Sequence, residues 1–407
     1  MRDIKLTKIK QTFQNNKLKD VAGTLSEQLR AVSSTIPEGG RIAVGVGSRG
    51  IANLPVMVRE VCDFLKARGA HPFVVPAMGS HGGAVDKGQA QVLEHLGVTE
   101  QTVGASVVSS MEVMELPNDG LKNRVYMDRH AWDSDGVVLI NRVKPHTDFH
   151  ASYESGLVKM SVIGLGKHKL AQEIHRFGVE GLTDLIPRTA QHILATRKIL
   201  FGVAVVENAR DETALIRVLK SSDFFKEEPA LLALARSCMP SFPVDSIDVL
   251  AVDRMGKDIS GTGLDPNIIG RIRIRGQAEP EKPDIKCIVV DDLTPASHGN
   301  ALGVGLADVV TRRLFEKIDF PATYANVVTT TFLERGRIPV TAADYRRAMD
   351  IALIACGPIP SGAERIIRIR DTLSMEDMFV SRTILDEIND TVDVIEENID
   401  FDHCCFE

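Results

Sequence analysis

Residues 41–83 read RIAVGVGSRGIANLPVMVREVCDFLKARGAHPFVVPAMGSHGG and contain two similar strand–loop–helix patterns. The apolar runs 41–46 and 73–77 each end in a glycine-rich loop, and helical patterns follow near 54–68 and 86–96. Repeated units of this kind predict an α/β fold with mostly parallel sheets. Because ligands bind at the carboxyl ends of the strands in such sheets, we expect Arg49 and His81 to lie at one edge.

A second stretch, residues 141–175, reads NRVKPHTDFHASYESGLVKMSVIGLGKHKLAQEIH and follows another apolar run at 136–140. It contains four of the eleven histidines, His146, His150, His168 and His175. Its apolar segment 157–165, which we interpret as strand-like, contains Lys159. A buried lysine is costly unless its pKa falls or its amine is used covalently. We therefore interpret residues 141–175 as a cofactor cradle.

The glycine loop 45–50 lacks the third glycine of a dinucleotide fingerprint. Its N–H groups, with Ser48 and Arg49, suit a phosphate, and a plain turn with a solvated arginine is an equal alternative. His81 has small neighbours, which favours a cleft, and a proline gives His146 a rigid strand exit. Either histidine alone fits an ordinary loop position. Together, at strand ends, they fit acid–base catalysis on opposite faces of one carbon.

An amphipathic helix is predicted from about residue 167 to residue 175. Lys167 and His168 lie at its start, and His168 and His175 are seven residues apart on one face. This spacing is too long for both histidines to ligate one ion. One of them suits a metal, and the other suits a supporting or phosphate contact.

These motifs resemble the nickel-dependent lactate racemase family, whose nickel-pincer nucleotide is a pyridinium mononucleotide with two sulfur arms. The resemblance rests on Arg49, Gly79-Ser80-His81, Pro145-His146, Lys159 with Gly156 ahead of it, and His175. It implies a thioamide tether at Lys159 and a nickel ligand sixteen residues later, at His175. It also implies that His81 and His146 are catalytic and that Arg49 binds the substrate carboxylate. From the glycine loop and the start of the helix, we expect Ser48, Lys167 and His168 to contact the cofactor.

Three departures from the family pattern argue against lactate as the substrate. Val46 replaces an acidic residue, residues 269–273 replace the family's Tyr-Gln-x-x-Lys segment, and the single tryptophan is Trp132. We expect a longer or more anionic α-hydroxy acid, such as a sugar acid, contacted by Lys257, Arg271 or Arg273. The alternative for the two arginines is an exposed edge strand with outward charges.

The chain has 407 residues and a net charge of −7, which argues against nucleic acid or an anionic membrane as a partner. We expect two α/β domains, 1–276 and 284–407, with the active site in the cleft between them. In the second domain, 307–315 is predicted as a helix and 324–332 as a strand. The absence of a signal-like or membrane-spanning run and the scattered cysteines predict a cytoplasmic protein.

The predicted function is an isomerase, a racemase or epimerase that works by proton-coupled hydride transfer with the nickel-pincer nucleotide. Its expected partners are a small hydroxy acid and cofactor-synthesis proteins, and a homo-oligomer is left open. Two alternatives remain. One is a zinc-dependent hydrolase or lyase that uses His146, His150 and His175, and the other is a non-catalytic cofactor-binding protein.

Overall fold

The computed structural model describes residues 4–48 and 50–406, so the predicted substrate residue Arg49 lies outside the described residues. The strands are β1 (Lys5–Lys10), β2 (Arg41–Val46), β3 (His71–Pro76), β4 (Val113–Leu116), β5 (Val125–Asp128), β6 (Gly136–Arg142), β7 (Ile199–Glu207), β8 (Thr213–Lys220), β9 (Ser246–Met255), β10 (Asp284–Leu293), β11 (Val309–Thr311), β12 (Val340–Ala342), β13 (Ile366–Ile369), β14 (Asp377–Val380) and β15 (Asp393–Asp400).

The α-helices are α1 (Val21–Leu29), α2 (Leu54–Ala67), α3 (Asp86–His95), α4 (Glu100–Val103), α5 (Arg129–Trp132), α6 (Leu157–Lys159), α7 (Lys167–His175), α8 (Gly178–Glu180), α9 (Ile186–Ala195), α10 (Phe224–Ser237), α11 (Pro266–Ile269), α12 (Arg312–Glu316), α13 (Phe320–Thr330), α14 (Tyr345–Ala355) and α15 (Arg382–Ile388). Two π-helical turns, Met160–Gly164 and Gly181–Leu185, follow α6 and α8. In the described part of the chain, no helix combines the length and the apolar character needed to cross a membrane.

The first compact unit comprises residues 14–239 and contains a five-stranded sheet in the order β3-β2-β6-β7-β8. β3, β2, β6 and β7 run parallel, and only β8 is antiparallel to its neighbour. The parallel strands are continuous apolar runs, as expected where helices cover both faces, and Val44, Val138 and Val203 are completely buried. The predicted α/β class is thereby confirmed, and the carboxyl ends of these strands share one edge.

The second unit joins residues 4–13 to residues 240–406 around an eight-stranded sheet, ordered β12-β11-β10-β9-β13-β14-β1-β15. The first five strands are parallel, and β14, β1 and β15 follow in antiparallel pairing. The units therefore divide at residues 13/14 and 239/240, whereas the sequence suggested a boundary between 276 and 284. The difference arises because β9 pairs with β10 along its whole length, from Ser246 opposite Asp284 to Met255 opposite Leu293.

The segment that contains Lys159 is helical, and its prediction as a strand was wrong. α6 begins it, the π-helical turn Met160–Gly164 continues it, and α7 follows. Leu157, Val158 and Val162 are all completely buried. A short apolar run that is buried on every side has no period that separates a helix from a strand, which explains the error.

Three sequence predictions in the second unit also need correction. Residues 324–332 lie mostly in the helix α13, which Asp319 caps at its N terminus, and they do not form a strand. Residues 307–315 divide between the strand β11 and the helix α12. The segment 271–275 is irregular, with a φ of 47° at Arg273, so it is not an edge strand. In each case a side chain that accepts backbone N–H groups helps to set the observed conformation: Asp319 accepts from Ala322, Thr311 from Leu314, and Glu279 from Ile272 and Arg273.

Candidate functional site

The carboxyl edge of the first sheet brings the loops after β2 and β3 together. The Ser48 hydroxyl lies 2.5 Å from Nδ1 of His81, and the His81 side chain is exposed. The turn before His81 also meets the segment that contains Lys159, because the Gly79 N–H donates to the Gly164 carbonyl at 3.3 Å. A Cβ on residue 79 would lie 3.2 Å from the Ile163 carbonyl oxygen, and the φ of Gly79 is +61°. Glycine therefore permits both the close approach and the backbone conformation.

His146 lies in a loop that follows β6 and is closed at its base. Lys144 and Ser155 exchange two backbone hydrogen bonds, at 3.0 and 3.2 Å. Inside the loop, the buried carboxylate of Glu154 accepts the His146 N–H at 2.6 Å and also binds the Arg236 guanidinium. Glu154 thus fixes the backbone on which His146 stands. The sequence predicted neither Glu154 nor Arg236 as a site residue, because the contact between them joins positions 82 residues apart.

The imidazole of His146 has a defined environment. The backbone N–H of Asp148 donates to its Nδ1 at 3.0 Å, so the neutral ring carries its proton on Nε2. The Asp148 carboxylate lies 3.9 Å from the same nitrogen. The ring packs on Phe149 with centroids 4.7 Å apart, and the Lys159 ammonium lies 5.6 Å from the Phe149 centroid. Phe149 therefore brings the predicted catalytic histidine and the predicted attachment lysine into one cluster.

His175, at the end of α7, belongs to the same electrostatic neighbourhood. Burial lowers the pKa of His175, and the positive charge of Lys159 lowers this pKa further, while Asp148 opposes both effects. Burial and the charge of Lys159 thus favour the neutral imidazole, which is the form that ligates metals. The structure thus places Lys159 and His175, sixteen residues apart in sequence, within electrostatic range of each other.

The backbone turn that carries Lys159 is held by two side chains from other elements. Asn141, in β6, donates its amide N–H to the Gly156 carbonyl at 2.8 Å. Glu228, in α10, accepts the N–H groups of Leu157 and Val158 at 2.6 and 3.1 Å through Oε2. Sequence reasoning missed Glu228, since it lies in an ordinary helix about seventy positions away.

Lys167 and His168 begin α7 but have different environments. Lys167 is completely buried, and its ammonium contacts the Pro76 carbonyl at 2.5 Å, Gln89 Oε1 at 3.2 Å and Asp128 Oδ2 at 3.0 Å. These protein groups hold the ammonium at the start of α7, and a contact between Lys167 and the cofactor stays a prediction. His168 differs, because its buried Nδ1 has no hydrogen-bond partner among the described residues.

Comparison with solved structures links this geometry to one fold. The lactate racemase apoprotein of Thermoanaerobacterium thermosaccharolyticum superimposes over 91% of this chain and 99% of its own, with a TM-score of 0.51 and 12% identity. The chain has a lactate racemase-like fold. A structural-genomics structure from Thermotoga maritima covers 69% of this chain and 72% of its own, with a TM-score of 0.50 and 14% identity. No family model matches the sequence, and no curated protein does.

Within this lactate racemase-like fold, the described residues contain no group of three or more His, Cys, Asp or Glu side chains placed to hold a metal ion. His150, the third histidine of the zinc alternative, lies with Nδ1 3.4 Å from Glu154 Oε1. This contact makes His150 part of the loop around His146. No described contact favours the zinc site.

The basic residues expected to contact an anionic substrate have protein partners in the second unit. Arg271 and Arg273 both bind the Asp308 carboxylate, at 2.6 and 2.5 Å, and both also donate to backbone carbonyls. Lys257 donates to the Gly261 carbonyl at 2.8 Å. The two arginines thus stabilise an irregular segment of the lactate racemase-like fold, and we omit them from the proposed substrate contacts.

Proposed function

We propose that this protein is an isomerase, a racemase or epimerase of an α-hydroxy acid or sugar acid, with a nickel-pincer nucleotide attached at Lys159. One observation carries the proposal: Lys159 and His146 both pack against Phe149. The lowered pKa of His175, caused by burial and by the positive charge of Lys159, supports it. An attachment amine, a neutral metal-binding imidazole and an acid–base histidine are the groups that this chemistry requires.

The residues present fit the cofactor that the fold suggests. Lys159 would provide the covalent tether, and the neutral imidazole of His175 would ligate nickel, a borderline metal that accepts imidazole beside soft sulfur ligands. The unpartnered buried Nδ1 of His168 can accept or donate a hydrogen bond to the nucleotide. When bound, the group would supply a ring that accepts a hydride from the substrate and returns it.

The histidines of this chain would move the substrate's hydroxyl proton. Neutral His146 carries its proton on Nε2, so it would act as a proton donor at that nitrogen. To act as a base, the ring would release the Asp148 N–H and take the proton on Nδ1, where the Asp148 carboxylate, 3.9 Å away, would stabilise the charged ring. The Ser48 hydroxyl can donate to or accept from His81 Nδ1, so His81 can adopt either tautomer. Arg49 is proposed, from the sequence resemblance, to bind the substrate carboxylate.

The substrate is proposed to differ from lactate. Val46 removes a carboxylate near the arginine loop, and the family's tyrosine and glutamine are absent from residues 269–273. Arg271 and Arg273 share the Asp308 carboxylate, so their guanidinium groups are held by a contact within the protein. The substrate class therefore rests on the changed side chains of the lactate-binding motif.

The test is intact mass and nickel content after co-production with pincer-synthesis proteins. We expect one covalent adduct and about one nickel per chain, absent from Lys159→Ala and retained by Lys169→Ala, an exposed lysine ten positions later. His81→Ala and His146→Ala should keep the adduct but lose interconversion of hydroxy acids, measured by chiral chromatography. An unmodified mass, while an authentic lactate racemase loads in parallel, would refute the proposal.

A further inference from the structure

Glu228 is a buried carboxyl group at the start of the turn that carries Lys159. Its side chain lies on α10, is 1% exposed, and uses a single oxygen, Oε2, to accept the N–H groups of Leu157 and Val158. Its other oxygen, Oε1, is buried without a hydrogen-bond partner among the described residues. The turn is thus fastened to a helix that is distant in sequence.

The neighbouring Gly156 has no side chain and so leaves space for this carboxyl group. A Cβ at this position would lie 2.5 Å from Glu228 Cδ and Oε1, so any other residue would displace the carboxyl. The φ of Gly156 is 174°, an extended value open to all residues, so its glycine is explained by space and not by backbone conformation. Asn141 also donates to the Gly156 carbonyl.

This arrangement costs more free energy than an ordinary helix cap would. A serine, threonine or aspartate at position 156 could accept the Val158 N–H locally, as an ordinary N-cap does. A buried carboxyl with one unpartnered oxygen instead costs desolvation energy. Its distinctive effect is to join the turn rigidly to α10, and such local cost is characteristic of functional positions.

We propose that Glu228 is the positioning residue of Lys159, fixing the helical turn so that the amine is presented in one orientation. This inference rests on the proposed function, in which Lys159 is the attachment point. Leu157 and Val158 directly precede Lys159, so their N–H bonds determine the direction of its Cα–Cβ bond. Small displacements of a reacting group cost large factors in rate, and attachment should depend on this fastening.

The experiment compares wild type with Glu228→Ala, Glu228→Gln and the control Glu227→Ala. Glu227 is adjacent on α10, but its side chain is 45% exposed and pairs with Lys226. Three quantities are measured: hydrogen exchange of the Leu157 and Val158 amides in apo-protein, the labelling rate of Lys159 by an amine-reactive reagent, read by peptide mass spectrometry, and cofactor loading.

In Glu228→Ala we expect the two amides to exchange at least about tenfold faster, since both lose their acceptor. Lys159 labelling should change in rate, and loading should fall by about tenfold or more. Glu228→Gln keeps an acceptor oxygen and should restore all three quantities to within about threefold, while Glu227→Ala should match wild type. Rescue by the amide separates positioning from a requirement for charge.

Two results would overturn the inference. Wild-type exchange at 157 and 158 in Glu228→Ala would remove its structural basis, and faster exchange with unchanged labelling and loading would remove its functional basis. If the wild-type protein never takes up the cofactor while an authentic racemase does, the proposed function fails. Amide exchange and lysine labelling in the apo-protein would still test whether Glu228 positions Lys159.

A second variant covers the case in which Glu228→Ala does not fold. Gly156→Ala drives a methyl group into the Glu228 carboxyl and should accelerate exchange at the same two amides. This variant keeps Glu228 and disturbs only its position, so it tests the same contact without deleting the carboxyl group. Wild-type exchange at both amides in Gly156→Ala would contradict the contact.

Discussion

The ammonium nitrogen of Lys167 lies 3.0 Å from a carboxylate oxygen of Asp128, and both side chains are completely buried. The same ammonium binds the carbonyl of Pro76, the last residue of β3. Burial lowers the pKa of Lys167, and the Asp128 carboxylate opposes that shift. The ammonium therefore attaches the start of α7 to the end of β5 through Asp128, and to the sheet edge from which the His81 loop leaves through Pro76.

Replacing Lys167 with methionine should destabilise the protein by about 3–5 kcal/mol, because it leaves the Asp128 carboxylate buried without a cation. Urea unfolding measures the loss, and Lys169→Met, an exposed neighbour, should change stability by less than about 0.5 kcal/mol. Lys167→Met combined with Asp128→Asn should recover part of the loss. A single-variant loss below about 1 kcal/mol would show that the buried pair is not formed.

Replacing Ser48 with alanine should alter the imidazole of His81 and leave that of His146 unchanged. The variant removes the hydroxyl 2.5 Å from His81 Nδ1, whereas His146 Nδ1 keeps its bond from the Asp148 N–H. Imidazole nitrogen chemical shifts, measured by NMR, report the tautomer of each ring. In the loaded enzyme, kcat should fall by about 10–100-fold with little change in KM, as for other groups that orient a catalytic side chain. Equal shifts at both histidines would count against this assignment.

Replacing Glu228 with glutamine should stabilise the protein at alkaline pH and much less at acidic pH. Burial raises the pKa of Glu228 from 4.5 to about 7. The folded state therefore binds the proton more tightly, and this contribution to stability is fully present below about pH 4.5 and is lost as pH rises through 7. The amide does not ionise, so its advantage should grow by about 3 kcal/mol between pH 4.5 and pH 8.

Urea unfolding of the Glu228 variant and wild type at several pH values measures this difference. Glu227→Gln, on the exposed part of the same helix, is the matched control and should show no such growth. A stability difference that stays constant from pH 4.5 to pH 8 would mean that Glu228 does not titrate in this range.

Replacing Phe149 with leucine should disturb His146 and Lys159 together. The ring is 1% exposed and contacts both residues, so leucine keeps an apolar side chain but removes the shared aromatic surface. We expect a stability loss of about 1–2 kcal/mol, changed His146 ring shifts and a changed Lys159 labelling rate. Phe201→Leu, a completely buried residue of β7, should cost similar stability without either local effect. If Phe149→Leu changed the His146 shifts and the Lys159 labelling rate no more than Phe201→Leu does, Phe149 would not connect these two residues.

The sequence was sufficient to locate the strand ends from which the candidate site is built. β2 and β3 end where apolar runs meet glycine-rich loops, and the helix predicted from about residue 167 to residue 175 is confirmed as α7. It was not sufficient at residues 157–165 or 324–332, where apolar side chains suit either a strand or a helix. Length, flanking caps and packing decide such segments, and the Asp319 cap of α13 is recognisable only once the helix is known.

By itself, the sequence determined the α/β class and the residues that reach the carboxyl edge of the first sheet, because period and turn chemistry are local properties. Only the tertiary structure decided which polar groups are partners. In the folded chain Lys167 pairs with Asp128, and Arg271 and Arg273 pair with Asp308. Glu228 accepts backbone N–H groups of the turn before Lys159. The physical reason is that a buried charge must find its partner in space, and that partner is separated from it by tens of residues that carry no local record of the contact.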